Sequence, residues 1–288
     1  MSARLQAVLI TGCSSGIGEA SARRLAERGF TVYASARNPA AIEHLRAFGC
    51  ETLALDVTDE DSMAAAVKTV EEAHGAVGAL VNNAGYSQSG AIETVPLAEV
   101  RRQFETNVFG VIRMCQLVLP GMRAQGFGRV INVSSMGANF TFPGGGLYHA
   151  TKYALEAISD ALRFEVQGFG VDVVVVQPGL IHSRFGQAAS ASVEELGQRS
   201  ASGDDPYAHF NATVARRTRE VYENPLLAKL GGPPQAVARK IERAISARRP
   251  RTRYRVTLSA PLLIAQRKLT SDRMWDRVMR SQFPQPRS

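Results

Sequence analysis

The chain has 288 residues, of which 45% are hydrophobic and 21% are charged, and its formal net charge is +8. This composition predicts one soluble globular domain, and the lack of an apolar run of about 20 residues argues against a membrane-spanning helix. The short N-terminal apolar run leads directly into a glycine-rich turn, which argues against a secretory signal peptide. The three cysteines are scattered without CxxC spacing. We therefore expect no disulfide framework and no metal site, and a cytoplasmic location is favoured.

The positive charge is concentrated in the C-terminal part of the chain. Residues 235–288 contain 14 Lys and Arg against 3 Asp and Glu, whereas the rest is slightly acidic, with 20 against 23. The uneven distribution argues against nucleic-acid binding and favours a solvated or interface-forming tail. A weak contact of this tail with an anionic membrane surface or an acidic partner is the alternative.

Six short apolar runs alternate with helical patterns along the first 180 residues, and several are apolar on both faces, as buried parallel strands are. The alternation predicts an α/β fold with a doubly wound parallel sheet, in which ligands bind at the carboxyl ends of the strands. The predicted strands are AVLIT (7–11), FTVYASA (30–36), ETLALDV (51–57), ALVNNA (79–84), GRVINVSS (128–135) and VDVVVVQPG (171–179).

The regular alternation ends after Pro178. Residues 183–234 are rich in Ser, Ala, Gly and Pro, which predicts a loop-and-helix insert over the site rather than a second domain. We therefore expect a catalytic domain over residues 1–234 with a substrate loop at about 183–234. Residues 235–288 are expected to form a basic helical extension on the same domain, beginning with a helix at 235–248.

The first predicted strand leads into TGCSSGIG (11–18) and then into a helix. The glycines at 12, 16 and 18 permit a tight turn and let a pyrophosphate approach backbone N–H groups at a helix N-terminus. No GK[ST] follows, which argues against a nucleoside-triphosphate P-loop. A plain strand–helix turn remains the alternative interpretation.

Tyr148 and Lys152 stand four residues apart in YHATK, which places both side chains on one face of a helix. A free phenol titrates at about pH 10, and a neighbouring ammonium favours the phenolate. Such a phenol can exchange a proton with a ketone or an alcohol near neutral pH.

Together these motifs resemble the short-chain dehydrogenase/reductase family over about residues 5–185. The TGxxxGxG spacing is that of its compact single-domain branch, and the segments PPQAVARKIERAISARRP and MWDRVM are similar to a 17β-hydroxysteroid-dehydrogenase-like group. The resemblance implies a Rossmann-type fold and a homodimer or homotetramer that pairs through helices four and five.

The resemblance also implies the site residues. Tyr148 would act as general acid or base with Lys152, and Ser135, thirteen residues earlier, would hydrogen-bond the substrate oxygen. Ser134 is its neighbour and competitor, while Asn107 in FETNVFG would hold a water that links the lysine to solvent. The implied cofactor-binding set is Thr11, Gly12, Ser14, Ser15, Gly16, Ile17, Gly18, Arg37, Asp56, Val57, Asn82, Ala84, Gly85, Tyr148, Lys152, Pro178, Gly179, Ile181 and Ser183.

The end of the second predicted strand bears on the choice of cofactor. Ala36 occupies the position at which NAD-binding members carry an acidic residue, and Arg37 follows it. A guanidinium can pair with a ribose 2′-phosphate, and no carboxylate stands there to repel it. The sequence therefore predicts NADP(H) rather than NAD(H).

The substrate is less well specified than the reaction. We expect the pocket in residues 86–96, 137–147 and 183–234, and the group resemblance implies a steroid-, retinoid- or lipid-like ketone or secondary alcohol. His182 is tempting as a base, but Tyr148 already fills that role. The alternatives are a 3-oxoacyl thioester reductase and a non-catalytic, dinucleotide-binding regulator.

Overall fold

A computed structural model describes residues 7–199, 205–223 and 229–286. Within these ranges seven parallel strands form one sheet in the order β3-β2-β1-β4-β5-β6-β7. The order reverses between β1 and β4, which opens a crevice at the carboxyl ends of these two strands. The strands are β1 Ala7–Ile10, β2 Thr31–Ala36, β3 Cys50–Ala54, β4 Ala79–Asn82, β5 Gly128–Val133, β6 Val171–Pro178 and β7 Arg253–Val256.

Helices cover both faces of the sheet, so the predicted single-domain, doubly wound fold is confirmed. Because side chains alternate along a strand, Val8 and Ile10 face one hydrophobic cluster and Ala7 and Leu9 face another. The helices are α1 Gly16–Glu27, α2 Glu60–His74, α3 Leu97–Phe104, α4 Gly110–Ala124, α5 Gly146–Val166, α6 Arg184–Arg199, α7 Ala208–Glu223, α8 Pro234–Ser246, α9 Ser259–Leu269 and α10 Asp272–Gln282.

The two clusters assign the helices to layers. On one face, α1, α8 and the 3₁₀ segment Pro39–Phe48 bury their apolar sides against the sheet. On the other face, α2, α4 and α5 do the same. The carboxyl ends of the strands are left clear of both layers, and the loops there are free to carry functional side chains.

All six predicted strands are present, each within a few residues of its predicted bounds. The sequence analysis missed the seventh, β7, which pairs with β6 at the edge of the sheet. Its sequence Arg-Tyr-Arg-Val looks like a surface segment, but Tyr254 and Val256 are buried. Arg253 is partly buried as well, because it pairs with Glu156 and Asp160 on α5.

The insert after β6 contains α6 and α7, which pack on each other around Val193, Val214 and Ala215. The parts of the predicted substrate loop at 200–204 and 224–228 lie outside the described residues. The C-terminal α9 and α10 pack on the loop after β5, where Trp275 contacts Phe140. No helix in the described ranges is both long enough and apolar enough to cross a bilayer.

Candidate active site

A cleft of about 950 Å³ lies at the carboxyl ends of the strands. Its floor is formed by the turns after β1, β4 and β5, and α7 and the end of α10 contribute to its walls. The position is the one expected for a ligand site in an open α/β sheet.

The turn after β1 requires glycine at three positions. Gly12 has φ +72°, and a Cβ there would lie 2.8 Å from Ala84 Cα. A Cβ on Gly18 would collide with the carbonyl oxygen of Gly12. Gly16, with φ +65°, has only Ser183 Cβ within 4 Å of the corresponding position, at 3.6 Å. The turn is therefore closed behind and open toward the cleft, which leaves room for a phosphate.

The first turn of α1 presents backbone N–H groups to this opening. Ser15 is the N-cap residue, and its side chain makes no capping hydrogen bond. An uncapped helix N-terminus binds anions, since its N–H groups and dipole both favour negative charge. Ser14, Ser15, Gly16 and Ile17 all line the cleft, so the residues fit a dinucleotide pyrophosphate.

The segment Asn82-Asn83-Ala84-Gly85 at the end of β4 places one implied cofactor residue, Asn82, away from the cleft. Asn82 is 3% exposed and its Nδ2 donates to Asn132 Oδ1 at 2.9 Å, so it ties β4 to β5 and does not line the cleft. Asn83 lines the cleft, and its Nδ2 donates to the carbonyl oxygens of Thr11 and Gly12 at 2.9 and 3.0 Å. Because the strand ends at Asn82, it is the next residue, Asn83, that turns toward the cleft.

Two of the predicted residues support the cleft from behind. Thr11 Oγ1 accepts hydrogen bonds from the backbone N–H groups of Asn83 and Ala84, both at 3.0 Å. Gly18 lies against the Gly12 carbonyl, as described above. Neither lines the cleft, and both act by fixing the β1 and β4 turns against each other.

Arg37 and Asp56 line the end of the cleft beyond β2 and β3. Arg37 is exposed, whereas Ala36 is 5% exposed, and no carboxylate in the described part of the chain pairs with Arg37. Asp56 Oδ1 accepts from the backbone and hydroxyl groups of Thr58 at 2.9 and 2.8 Å. The N-cap of α2 is Asp59, whose carboxylate accepts from the backbone N–H of Ser62, so Asp56 is not the cap.

Lys152 is a buried cation at the centre of the cleft. Its Nζ donates to the carbonyl oxygen of Val133 at 2.9 Å, and the residue is 6% exposed. Burial lowers the pKa of this amine to about 8, against the opposing field of Glu156. The Nζ lies 5.8 Å from the centroid of the Tyr148 ring, one turn earlier on α5.

Ser135 lines the cleft together with Tyr148, at the end of β5. Its Oγ accepts from the backbone N–H of Gly137 at 3.0 Å and caps a 3₁₀ turn, Met136–Ala138. As the acceptor in that bond, the hydroxyl keeps its proton available for another partner. Ser134 also lines the cleft, and its buried Oγ has no hydrogen-bond partner among the described residues.

Asn107 lies in a π-helical segment, Glu105–Phe109, between α3 and α4. Its Oδ1 accepts from the backbone of Tyr86 at 3.1 Å, and its Nδ2 donates to the Tyr86 carbonyl at 2.9 Å and to Thr151 Oγ1 at 3.1 Å. The side chain is not part of the cleft lining, but it lies directly behind Gly85. A Cβ on Gly85 would be 3.1 Å from Asn107 Oδ1 and 3.7 Å from Lys152 Nζ.

The sequence analysis missed His149, which stands between Tyr148 and Lys152 in the YHATK motif. Its Nδ1 is 2.7 Å from the Gly137 carbonyl oxygen, and the backbone N–H of Phe142 donates to its Nε2 at 3.4 Å. Burial lowers the pKa of this imidazole, so the ring is neutral and donates from Nδ1. Both bonds fix the loop after β5 that carries Ser135. The sequence feature that could have identified it is a histidine inside the YHATK motif, one residue after the tyrosine.

The segment after β6 closes the cleft. Pro178, Gly179, Ile181 and Ser183 line it, as the resemblance implied, whereas His182 is exposed and does not. A Cβ on Gly179 would collide with a hydroxyl of the loop after β7. The strand that the sequence analysis missed therefore leads into a loop that packs directly against Gly179 in the wall of the cleft.

The remaining walls are mostly apolar. The Phe185 ring lies 5.4 Å from that of Tyr148, and Phe142 stacks on Trp275 behind the loop after β5. One face of α7 also points into the cleft. Apolar lining residues on these walls are Met136, Phe140, Phe142, Leu180, Phe185, Val214, Val221 and Phe283.

The fold and site define a nicotinamide-dependent oxidoreductase. The chain belongs to the short chain dehydrogenase family, whose model matches residues 6–194. It is 34% identical over 281 residues to the NADPH-dependent 3-dehydrocapnine reductase of Ornithobacterium rhinotracheale, covering 94% of each chain. It is 35% identical to the 17-beta-hydroxysteroid dehydrogenase type 1 of Homo sapiens, covering 87% of this chain and 77% of the relative.

A solved structure shares both the fold and the sequence pattern. The crystal structure of a short-chain dehydrogenase from Streptomyces avermitilis superposes with a TM-score of 0.73 at 32% identity, covering 96% of this chain and 97% of that one. The similarity extends over the C-terminal extension as well as the sheet. The family resemblance inferred from the motifs is thereby confirmed.

Proposed function

We propose that the protein is an NADPH-dependent oxidoreductase that interconverts a ketone and a secondary alcohol on an apolar, steroid-, retinoid- or lipid-like molecule. One observation carries the proposal: the Tyr148–Lys152 pair opens onto the same cleft as a wall of aromatic and aliphatic side chains. Such a wall binds an apolar body, while the polar pair is aimed at a single oxygen atom.

The cofactor would lie across the crevice between β1 and β4. The β1 turn and the start of α1 would bind its pyrophosphate, and the segment from Pro178 to Ser183 would bind its nicotinamide end. Arg37 would pair with the 2′-phosphate, which supports NADPH over NADH. The bound cofactor supplies the hydride, and the side chains around it supply position and the proton.

The proton is handled by Tyr148. In reduction its hydroxyl donates a proton to the ketone oxygen, and in oxidation its phenolate accepts the proton of the alcohol. The Lys152 ammonium favours the phenolate by its charge. Ser135 would donate a hydrogen bond to the same substrate oxygen, and Asn107 would hold a water behind Gly85 that resupplies the proton.

The substrate class rests on the walls. The α7 face toward the cleft carries Val214, Thr218 and Val221, together with Arg217, whose Nη1 donates to Glu220 at 3.1 Å. This pair would meet a polar head group on an otherwise apolar molecule. One relative is named for a hydroxysteroid, a hydroxyl on an apolar ring system, and another is named as NADPH-dependent.

A Tyr148→Phe variant tests the proposed chemistry. NADPH oxidation is followed by absorbance with apolar ketones, steroids and acetoacetyl thioesters, and with NADH in parallel. We expect the wild type to turn over an apolar ketone, and the variant to lose about a thousandfold in kcat/KM while it still binds NADPH. The matched control is Tyr153→Phe, an exposed tyrosine on α5 that does not line the cleft.

Two outcomes would contradict the proposal. Turnover confined to thioesters would make the protein a 3-oxoacyl thioester reductase. NADPH binding without turnover of any carbonyl in the panel would favour a regulator.

A further inference from the structure

The outer side of α9 carries apolar residues that nothing in the described chain covers. Leu258, Leu262 and Leu269 are 63%, 55% and 88% exposed, and Ala265 is exposed as well. Their spacing of four, three and four residues puts them on one face of the helix. We call these four residues the leucine stripe.

The neighbouring α10 carries three exposed arginines on one face, with Asp276 as an exposed acid beside them. Arg273, Arg277 and Arg280 are all exposed and are spaced by four and three residues, so they also share one helix face. None of the three pairs with a carboxylate in the described ranges. The same helix buries Trp275 and Met279 on its other side. We call the three arginines the arginine stripe.

Both stripes point away from one core. The buried residues of α9, Ala260 and Ile264, belong to the same hydrophobic cluster as Trp275 and Met279 of α10. The opposite faces of the two helices therefore both look outward. Lys268, exposed near the end of α9, adds a further charge beside the leucines.

We propose that these two stripes dock the protein on an anionic bilayer surface. The leucine stripe enters the boundary between head groups and acyl chains, and the arginine stripe contacts the lipid phosphates. Exposed leucines beside a cationic face are the composition of helices that lie in a membrane interface. The net charge also favours this occupant over a second copy. Lys268 and the arginine stripe outnumber the exposed acids of α10, Asp272 and Asp276, of which Asp272 already pairs with Arg267, so the surface as a whole is cationic.

The test is co-sedimentation of the full-length protein with vesicles. We use phosphatidylcholine vesicles with and without about one-third phosphatidylglycerol, at low and high salt. We expect binding only to the anionic vesicles, with an affinity that falls as salt rises. Leu262→Ser with Leu269→Ser should lower the affinity at least about tenfold, because the inserted apolar area is lost.

Charge reversal tests the second stripe. Arg273→Glu with Arg277→Glu should also lower the affinity at least about tenfold, since each cation near an anionic surface contributes roughly 1 kcal/mol. The matched controls lie on α3, away from both stripes. Leu97→Ser and Arg101→Glu change an exposed leucine and an exposed arginine and should bind like the wild type.

Several results would overturn the proposal. The first is no binding to the anionic vesicles at low salt, and the second is equal binding to neutral ones. Binding that depends on the arginines but not on the leucines would indicate a general anion surface instead. If the leucine variants change the sedimentation coefficient of the free protein, a second copy covers the stripe. Unfolding temperatures equal to the wild type's establish that the variants are folded.

Discussion

At the scale of single residues, the buried cation of Lys152 lowers the stability of the fold at neutral pH. The buried amine has a pKa of about 8 in the fold and 10.5 as a free side chain. Below pH 8 the folded protein must hold a desolvated cation, whereas the unfolded chain holds a hydrated one. The fold therefore carries a cost there, and stability increases as the pH rises from about 8 toward 10.5.

A Lys152→Met variant should consequently be more stable than the wild type at pH 7. We expect a gain on the order of 2 kcal/mol in the free energy of unfolding, after allowing for the lost hydrogen bond to Val133. The gain should shrink as the pH approaches 10, while activity is lost at every pH. Chemical denaturation across this pH range measures it, with the exposed Lys68→Met as control. A less stable variant at pH 7 would refute the argument.

Arg37 should determine the cofactor preference at the residue scale. Its guanidinium is exposed, lines the cleft and follows the buried Ala36. Replacing it by alanine should raise the KM for NADPH at least about tenfold and leave the KM for NADH nearly unchanged, because only the 2′-phosphate is lost as a partner. Initial rates with both cofactors measure this. Arg101→Ala, an exposed arginine outside the cleft, is the control. Equal effects on both cofactors would count against NADP(H).

Most residues that the sequence singled out line the cleft, because their positions depend on fixed spacing along the chain. Four residues separate Tyr148 from Lys152 on one helix, and the glycines of the β1 turn follow one strand. Asn83 and His149 escaped because their roles depend on where a strand ends and how a loop folds back. Both features belong to the tertiary structure, which the local spacing of residues does not specify.

At the scale of elements, the C-terminal helix α10 supports residues that line the cleft. Trp275 of α10 donates to the Thr141 carbonyl at 3.4 Å and packs on Phe140 and Phe142, both of which line the cleft. Phe283, the residue that follows α10, belongs to the same wall. The basic extension thus supports the apolar wall of the cleft.

Removing this support should affect substrate binding more than chemistry. We expect Trp275→Ala to lower stability by about 3 kcal/mol and to raise the KM for an apolar ketone severalfold. The reason is that the loop bearing Phe140 and Phe142 loses its backing, while Tyr148 and Lys152 keep theirs. Thermal unfolding and steady-state kinetics measure both effects. Met274→Ala, an exposed neighbour, is the control, and a fall in kcat with KM unchanged would contradict the argument.

The same scale explains what the sequence could not predict of the fold. The first six strands were predicted because each is a short apolar run that helical patterns or turn residues clearly delimit. β7 was hidden because two of its four residues are arginines, one of them neutralised by Glu156 and Asp160 of α5. The two acidic partners of Arg253 are nearly a hundred residues away along the chain. No local sequence pattern reveals an ion pair at that separation.

At the scale of the whole molecule, α5 carries a second exposed apolar stripe. Tyr153 and Phe164 are 44% and 85% exposed, and Ala157 and Ala161 lie between them on the same face. This helix carries charges of both signs beside the stripe, as in the pair of Arg163 with Asp160. A surface of mixed charge can meet its own copy across a twofold axis, so we expect a dimer through α4 and α5.

Phe164→Asp should therefore convert the dimer to a monomer at micromolar concentration, because it buries an unpaired charge in a self-complementary contact. Sedimentation velocity measures the change, and Leu97→Asp, another exposed apolar residue, should leave the dimer intact. Leu262→Ser should also leave it intact, since the leucine stripe is assigned to a bilayer. A dimer that survives Phe164→Asp but dissociates with Leu262→Ser would show that the leucine stripe, and not the α5 stripe, forms the dimer contact. That result would contradict both the dimer contact on α5 and the bilayer contact on α9.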